Sequence, residues 1–355
     1  MFNIERLEQA RKRRRYTAKI LAEKSGVAPV TLSRVINGKQ TPDEQTITRL
    51  IKALDFPVEF FDQDTVDEID VSAASFRSLT AMTARERDAA LSAGSLAYEV
   101  ADWLNDRYQL PVPDLIDLSH ERSPSSAART LRQHWTIGEK PIGNMIKLLE
   151  SKGIRVFSLA ESTKNVDAFS VWRNDEPYIF LNTFKTAERS RFDAAHELGH
   201  LVLHKHGGPN QRSAEIEANE FAGAFLMPSA DVRSRLPYTR SLDQIIAAKV
   251  RWGVSAAALC YSLHKMGLIT EWQYRTFCIQ LNQRYRNLEP NGMEKEKSAI
   301  WQMVLNDLWS QGQTRTKIAR DLSLPDDELE NLIFGLTTNV VPPAATGRAK
   351  LSAVK

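Results

Sequence analysis

Cysteine is nearly absent: Cys260 and Cys278 are the only two in 355 residues. Two thiols make neither a disulfide framework nor a thiolate zinc site, so a reducing compartment is expected. No apolar run reaches the roughly 18 residues that a bilayer crossing needs, which argues against a membrane role. The opening stretch FNIERLEQARKRRRY lacks the apolar core of a secretory leader, and a cytoplasmic location is expected. Charge of one sign is also scarce, with a net of only +3. It is unevenly spread, however. The first 40 residues hold ten Lys/Arg against three Asp/Glu, a local +7 that leaves −4 for the remainder. A basic end on a near-neutral body points to a polyanion as its partner.

The length predicts two or three domains. Residues 1–62 read as five short helices, the first from about Ile4 to Arg14. The second runs from about Ala18 to Lys24, and the third opens at Pro29 and stops at the turn Asn37-Gly38-Lys39. The fourth starts near Pro42-Asp43-Glu44, where proline and acids favour a helix start. An acidic, weakly patterned segment (62–75) reads as a linker. A long Ala-rich helix over 84–109 follows and is ended by Pro111 and Pro113. Three β-like runs come next, Ile154–Leu159, Ala168–Trp172 and Tyr178–Leu181. Two long helices, Ala187–Lys205 and Ser213–Met227, precede a stop at Pro228. Residues 230–340 are helical again, and the Pro/Ala/Lys-rich tail from Thr337 reads as disordered.

The order helix, tight Gly turn, helix in the first domain is that of a helix-turn-helix. Its second helix lies in the major groove with its early residues facing base edges. Those residues are Val30, Thr31 and Arg34. Arg34 suits the O6/N7 edge of guanine, and Thr31 offers a hydroxyl or a methyl. Asn37 and Lys39, at the far end of the helix, suit a phosphate. Arg11 to Arg15 would add salt-sensitive attraction to the DNA backbone.

Residues 196–200 read HELGH, an H-E-x-x-H motif. Residues four apart stack on one helix face about 6 Å apart along the axis, so His196 and His200 can converge on one Zn²⁺. Glu197 sits one step round the helix, placed to reach the metal's water as a general base. A catalytic zinc needs a third protein ligand. His206 has the spacing of a longer motif that turns at a glycine, but Leu203 stands at that position. His204 lies about 12 Å along the axis from His196 and is too far for the same ion. A carboxylate from the next helix, with its cluster Glu215, Glu217 and Glu220, is the better choice.

Two stretches carry resemblances. SGVAPVTLSRVINGKQTP resembles the Cro/repressor (XRE-type) helix-turn-helix family, although Pro29 and Val30 stand where that family often has base-reading glutamines. FDAAHELGHLVLH followed by EIEANEFAGAFLMP resembles the ImmA/IrrE family of metallopeptidase-like proteins. That resemblance puts the third ligand on Glu217, with Glu215 and Glu220 as its neighbours. It covers about residues 140–230. SFRS (75–78) and RWGVSAAALCYSLHKMG (251–267) also resemble a subset of the family that carries an XRE-type reader.

The expected fold class is mostly α. A five-helix helix-turn-helix domain (1–62) and a linker with a helical connector (63–135) come first. A zincin-like α+β domain (136–232) with a small sheet and two long helices follows, then a helical region (233–336) and a tail (337–355). The helix pairs of the carboxy-terminal region resemble further helix-turn-helix units but read as core, packed on the peptidase-like domain or forming a dimer face. Cys260 reads as a small buried hydrophobe. The expected function is a homodimeric regulator that binds a double-stranded operator and carries a zinc metallopeptidase-like domain. Its target would be a repressor or other partner protein, and the resemblance would suit a stress-response or toxin–antitoxin setting. The alternative is a transcription factor, or an antitoxin gripping a toxin, whose zinc domain does no chemistry.

Overall fold

The computed structural model describes residues 2–64, 67–69, 83–159, 168–205, 211–286 and 288–337. SFRS, His206 and the tail beyond Thr337 lie outside the described residues. The chain forms two compact units, one holding 1–110, 157–166 and 300–355, the other 111–156 and 167–299. No helix among the described residues is long and apolar enough to cross a membrane.

In the first unit, α1 (Ile4–Arg13), α2 (Ala18–Ser25), α3 (Pro29–Ile36) and α4 (Glu44–Leu54) are each set by local chemistry. Asn3, Thr17 and Asp43 cap α1, α2 and α4 through their side chains, and Pro29 opens α3. Gly26 closes α2 with φ +66°, a conformation that favours glycine. The fifth element is a short 3₁₀ turn, Val58–Asp62. Leu7, Leu21, Leu32, Val35, Leu50, Leu54, Phe60 and Phe61 fill the core of this bundle. Helix α5 (Ala84–Arg107) starts at a capping box between Thr83 and Glu86 and packs on α1.

The same unit contains the last three helices, α14 (Ala299–Ser310, whose first residue falls in the other unit), α15 (Thr316–Asp321) and α16 (Asp326–Ile333). Of the two expected placements, on the peptidase-like core or at a dimer face, the first does not hold: these helices belong with the amino-terminal helices, joined there by ion pairs as well as apolar burial. Arg13 pairs with Glu328 with both side chains buried, and Arg14 reaches Asp327 and Glu328. Trp103 Nε1 donates to Asp321, and Tyr108 to Asp307.

The second unit is built round β2 (Phe169–Arg173) and β3 (Glu176–Leu181). They pair antiparallel from Phe169↔Phe180 to Arg173↔Glu176. Asn174 and Asp175 form the two-residue turn, both at positive φ, as the twist of a tight hairpin requires. With β1 (Arg155–Ser158, whose last two residues are assigned to the other unit) the sheet order is β1-β3-β2. Helix α8 (Ala187–Leu203) packs on β2 and β3 and on α9 (Gln211–Leu226), and α6 (Pro124–His134) covers α9. The short helix α7 is Met145–Ser151. Helices α10 (Ser229–Arg235), α11 (Leu242–Ala248), α12 (Ala256–Lys265) and α13 (Glu271–Tyr285) complete the unit. Cys260 of α12 is buried, as expected, and burial pushes its thiol up to about 12.

Candidate metal centre and DNA-reading helix

Helix α8 begins where the Thr186 side chain accepts the Arg189 N–H, with Glu188 in the first turn. Ala194, Ala195, Leu198, Leu201 and Val202 bury its other faces. His196 and His200, one turn apart, therefore present their rings together. The centroids are 4.8 Å apart and the two Nε2 atoms 3.1 Å apart.

The third group comes from α9. Glu215 Oε2 lies 3.4 Å from His196 Nε2, and its Oε1 lies 3.4 Å from His200 Nε2. Among the described residues, His196, His200 and Glu215 are the group whose potential ligand atoms converge, all within 4.8 Å of one another. Glu217 does not join them. Its Oε2 lies 3.1 Å from His204 Nε2, and its side chain is 38 % exposed. This corrects the expected ligand set of His196, His200 and Glu217, with a reason in helix register. Residues two apart on a helix point about 200° apart. The face of α9 turned inward carries Ala218, Phe221, Ala222 and Phe225, all fully buried. Glu215 shares that side through Ala218 and Ala222, three and seven residues on, and Glu217 is turned away from it. The apolar stripe itself shows in the sequence, but that it is turned toward the histidine helix does not.

Gly199 sets how closely the two helices approach. A Cβ there would lie 3.0 Å from Phe221 Cδ1 and 3.3 Å from the Ala218 Cα. The glycine of HELGH thus lets α9 bring Glu215 over the histidine pair. The Asn219 side chain donates to the Glu215 carbonyl at 2.8 Å.

Glu197 is buried at 3 % exposure. Its Oε2 accepts the Ser170 hydroxyl from β2 at 2.7 Å. Sequence reasoning missed Ser170. Only its place as the polar member between Phe169 and Val171, on a strand facing α8, marks it.

The electrostatics are those of a centre short of positive charge. Burial works against the charged carboxylate of Glu215, yet hydrogen bonds from His196 and His200 hold its carboxyl well below the usual range. For His196, burial opposes the proton, but the Glu215 hydrogen bond and the Glu197 and Glu215 charges raise its pKa overall. Burial lowers that of His204.

The donor set fits a zinc ion. Zn–N and Zn–O bonds of about 2.0–2.2 Å at tetrahedral angles put neighbouring ligand atoms roughly 3.3 Å apart. Here the two Nε2 atoms are 3.1 Å apart, and each lies 3.4 Å from a different oxygen of the Glu215 carboxylate. Two imidazoles and one carboxylate also leave a fourth position open, the arrangement of catalytic rather than structural zinc.

A cavity of about 640 Å³ opens beside Phe192, one turn before His196, and is lined by Ile216, Gly223, Met227, Ala258 and Met266 among others. Charged and polar side chains, among them Arg129, Glu139, Asn219 and Lys265, complete the lining.

In the other unit, α3 exposes Val30, Ser33, Arg34 and Asn37 along one face and buries Leu32 and Val35. Val30 is 64 % exposed. Thr31 is half-buried at the edge of that face, and Lys39 is exposed beyond Gly38. Asn37 Nδ2 donates to the Ser33 carbonyl at 2.7 Å, so its amide caps its own helix. Ser33 was not singled out from the sequence, although it is on the open face. The basic run is largely engaged within the protein. Arg11 binds Glu8 and the Tyr16 carbonyl, Lys12 reaches Glu68, Arg13 is buried with Glu328, and Arg14 binds the Leu54 and Asp55 carbonyls.

A helix-turn-helix in one unit and an H-E-x-x-H helix over a small sheet in the other define a regulator of two-part design with a metallopeptidase-type centre. Residues 7–61 match the helix-turn-helix family model, and residues 149–264 match the peptidase family described as IrrE N-terminal-like domain. No curated protein matches the chain. The chain thus carries a helix-turn-helix domain of the Cro/repressor (XRE) type over residues 7–61 and an IrrE N-terminal-like domain, of the ImmA/IrrE type, over residues 149–264.

Proposed function

We propose that the protein is an operator-binding transcriptional regulator, acting as a cytoplasmic homodimer, whose second unit is a zinc-dependent endopeptidase directed at a repressor or other partner protein. The observation that carries the peptidase reading is the triangle of His196 Nε2, His200 Nε2 and the Glu215 carboxylate, set beside a buried Glu197. These three residues would hold the zinc. When bound, zinc polarises the scissile carbonyl and lowers the pKa of water to about 7. Glu197 takes the proton from the water that attacks the peptide carbonyl and hands it to the departing amine. Ser170 holds one oxygen of that carboxylate and so restricts how the group can rotate. The cavity beside Phe192, with its mixed apolar and charged lining, receives side chains of the substrate.

On DNA, Val30, Thr31 and Arg34 face the base edges, with Arg34 suited to guanine. Lys39 serves a phosphate, and Asn37 contributes through its place at the end of the helix. The reader domain of residues 1–62 leans on α16 through Arg13 and Arg14, so the full chain is the form to assay.

The test compares wild type with Glu197→Gln and Glu215→Ala by zinc content and by cleavage of a co-expressed neighbouring repressor. Glu197→Gln should keep its zinc and lose cleavage, and Glu215→Ala should lose both. Equal cleavage by wild type and Glu197→Gln refutes the reading. Zinc binding with no cleavage by any form favours a sensor or a toxin-gripping antitoxin instead.

A further inference from the structure

We infer that His204 and Glu217 form an orienting relay for His200, a proposal that rests on the zinc reading above. A histidine that gives one ring nitrogen to a metal carries its proton on the other, and that N–H needs an acceptor. His200 turns Nε2 toward His196 and Glu215, at 3.1 and 3.4 Å. Its Nδ1 lies 2.9 Å from Nδ1 of His204. With Nε2 given to the cation, the His200 proton sits on Nδ1, and His204 Nδ1 accepts it. The His204 proton is then on Nε2, which lies 3.1 Å from Glu217 Oε2. One arrangement of protons satisfies every nitrogen in the chain, and it ends on a carboxylate that water reaches.

The local structure supports this assignment. His204 is the cap residue of α8, where its N–H still bonds the His200 carbonyl while its φ of −124° leaves the helix. Its ring is 8 % exposed and packs 5.1 Å from that of His200. Helix α9 therefore supplies two carboxylates with separate tasks. Glu215 meets the ligand nitrogens directly, and Glu217 acts one ring further out. His204 and Glu217 are positioning residues. They fix the tautomer and the plane of a ligand that the backbone alone leaves free to rotate.

The experiment measures zinc affinity, by competition with a chromophoric chelator, for wild type, His204→Ala, His204→Gln, Glu217→Ala and Glu215→Ala. Nitrogen-15 NMR of the zinc-loaded proteins follows the Nδ1 proton of His200. His204→Ala should weaken zinc binding about 10- to 100-fold and lose the slowly exchanging ring proton. His204→Gln, which keeps an acceptor, should recover part of both. Glu217→Ala should lose less than His204→Ala, in the same direction. Zinc affinity of His204→Ala within twofold of wild type, with the ring proton retained, overturns the relay. If His204→Ala fails to fold, Glu217→Ala decides by the same two readings, since its side chain is part-exposed. Unchanged zinc binding in Glu215→Ala, or none in wild type, refutes the ligand assignment and the relay with it. Loss in Glu215→Ala beside an unaffected His204→Ala refutes the relay alone.

Discussion

Gly199→Ala separates two opposed effects of a single methyl group. In mid-helix, alanine is favoured over glycine by about 1 kcal/mol. Against that, the new Cβ would lie 3.0 Å from Phe221 Cδ1 and 3.3 Å from the Ala218 Cα. Carbon atoms rest at roughly 3.5–4.0 Å, so α9 has to retreat by about half an ångström. Neither neighbour has somewhere to go. Phe221 and Ala218 are both fully buried, and the second contact is to backbone. Overpacking of this kind costs about 1–3 kcal/mol, which leaves a net destabilisation of roughly 0–2 kcal/mol. The effect on metal binding should be clearer than the effect on folding. Glu215 is one turn from Ala218, and its 3.4 Å separations from the two histidines widen as the helix retreats. Metal–ligand distances tolerate only about 0.2 Å. Zinc affinity should fall by about 1–2 kcal/mol, roughly 5- to 30-fold. Chelator competition gives the affinity, and urea unfolding with and without zinc gives the stability. A Gly199→Ala protein stabilised by about 1 kcal/mol that binds zinc like wild type would show that this helix contact does not set the position of Glu215.

Glu328→Ala leaves Arg13 buried without its partner, and urea unfolding should show a loss of about 3–5 kcal/mol; a loss below about 1 kcal/mol would place this pair with solvent-screened ones. Arg34→Ala should weaken binding to a preferred operator by about 1–3 kcal/mol and relax one base position, read by titration against single-base variants; an equal loss on every sequence would make Arg34 a phosphate contact only. Asp231 accepts hydrogen bonds from Arg251 and Trp252, which hold its carboxyl below the usual range. Its folded pKa is depressed, so its contribution is present above the ordinary aspartate value of about 3.9 and is lost as pH falls through the lower folded value. Asp231→Asn should therefore be less stable than wild type at neutral pH, with the gap closing in acid. A gap that persists at the lowest pH where both still fold would show that the ion pair is not its source.

The parts of this molecule that were legible in sequence are those governed by distance along one element. The spacing of four from His196 to His200 fixes a shared helix face whatever surrounds it. Thr186, Asp43 and Pro29 start helices by local hydrogen bonding or a fixed φ, and each start was placed within a few residues. What was not legible depends on how separate elements are rotated against one another. The acidic cluster of α9 offered Glu215, Glu217 and Glu220, and spacing from the H-E-x-x-H motif does not rank them. The ranking comes from the apolar stripe that α9 turns toward Gly199, which puts Glu215 inward and leaves Glu217 for His204. Ser170 is further still from any motif, since its bond to Glu197 needs the hairpin to sit on α8 in one register. The arginines of α1 make the same point at longer range. A run of five basic residues reads as a surface for polyanions until α16, more than 300 residues away, supplies Asp327 and Glu328 to Arg13 and Arg14. A buried charge persists only where a partner is held in place for it. Arg13 and Arg14 are therefore evidence about what packs on α1, whereas Arg34 is a basic residue that α3 keeps open.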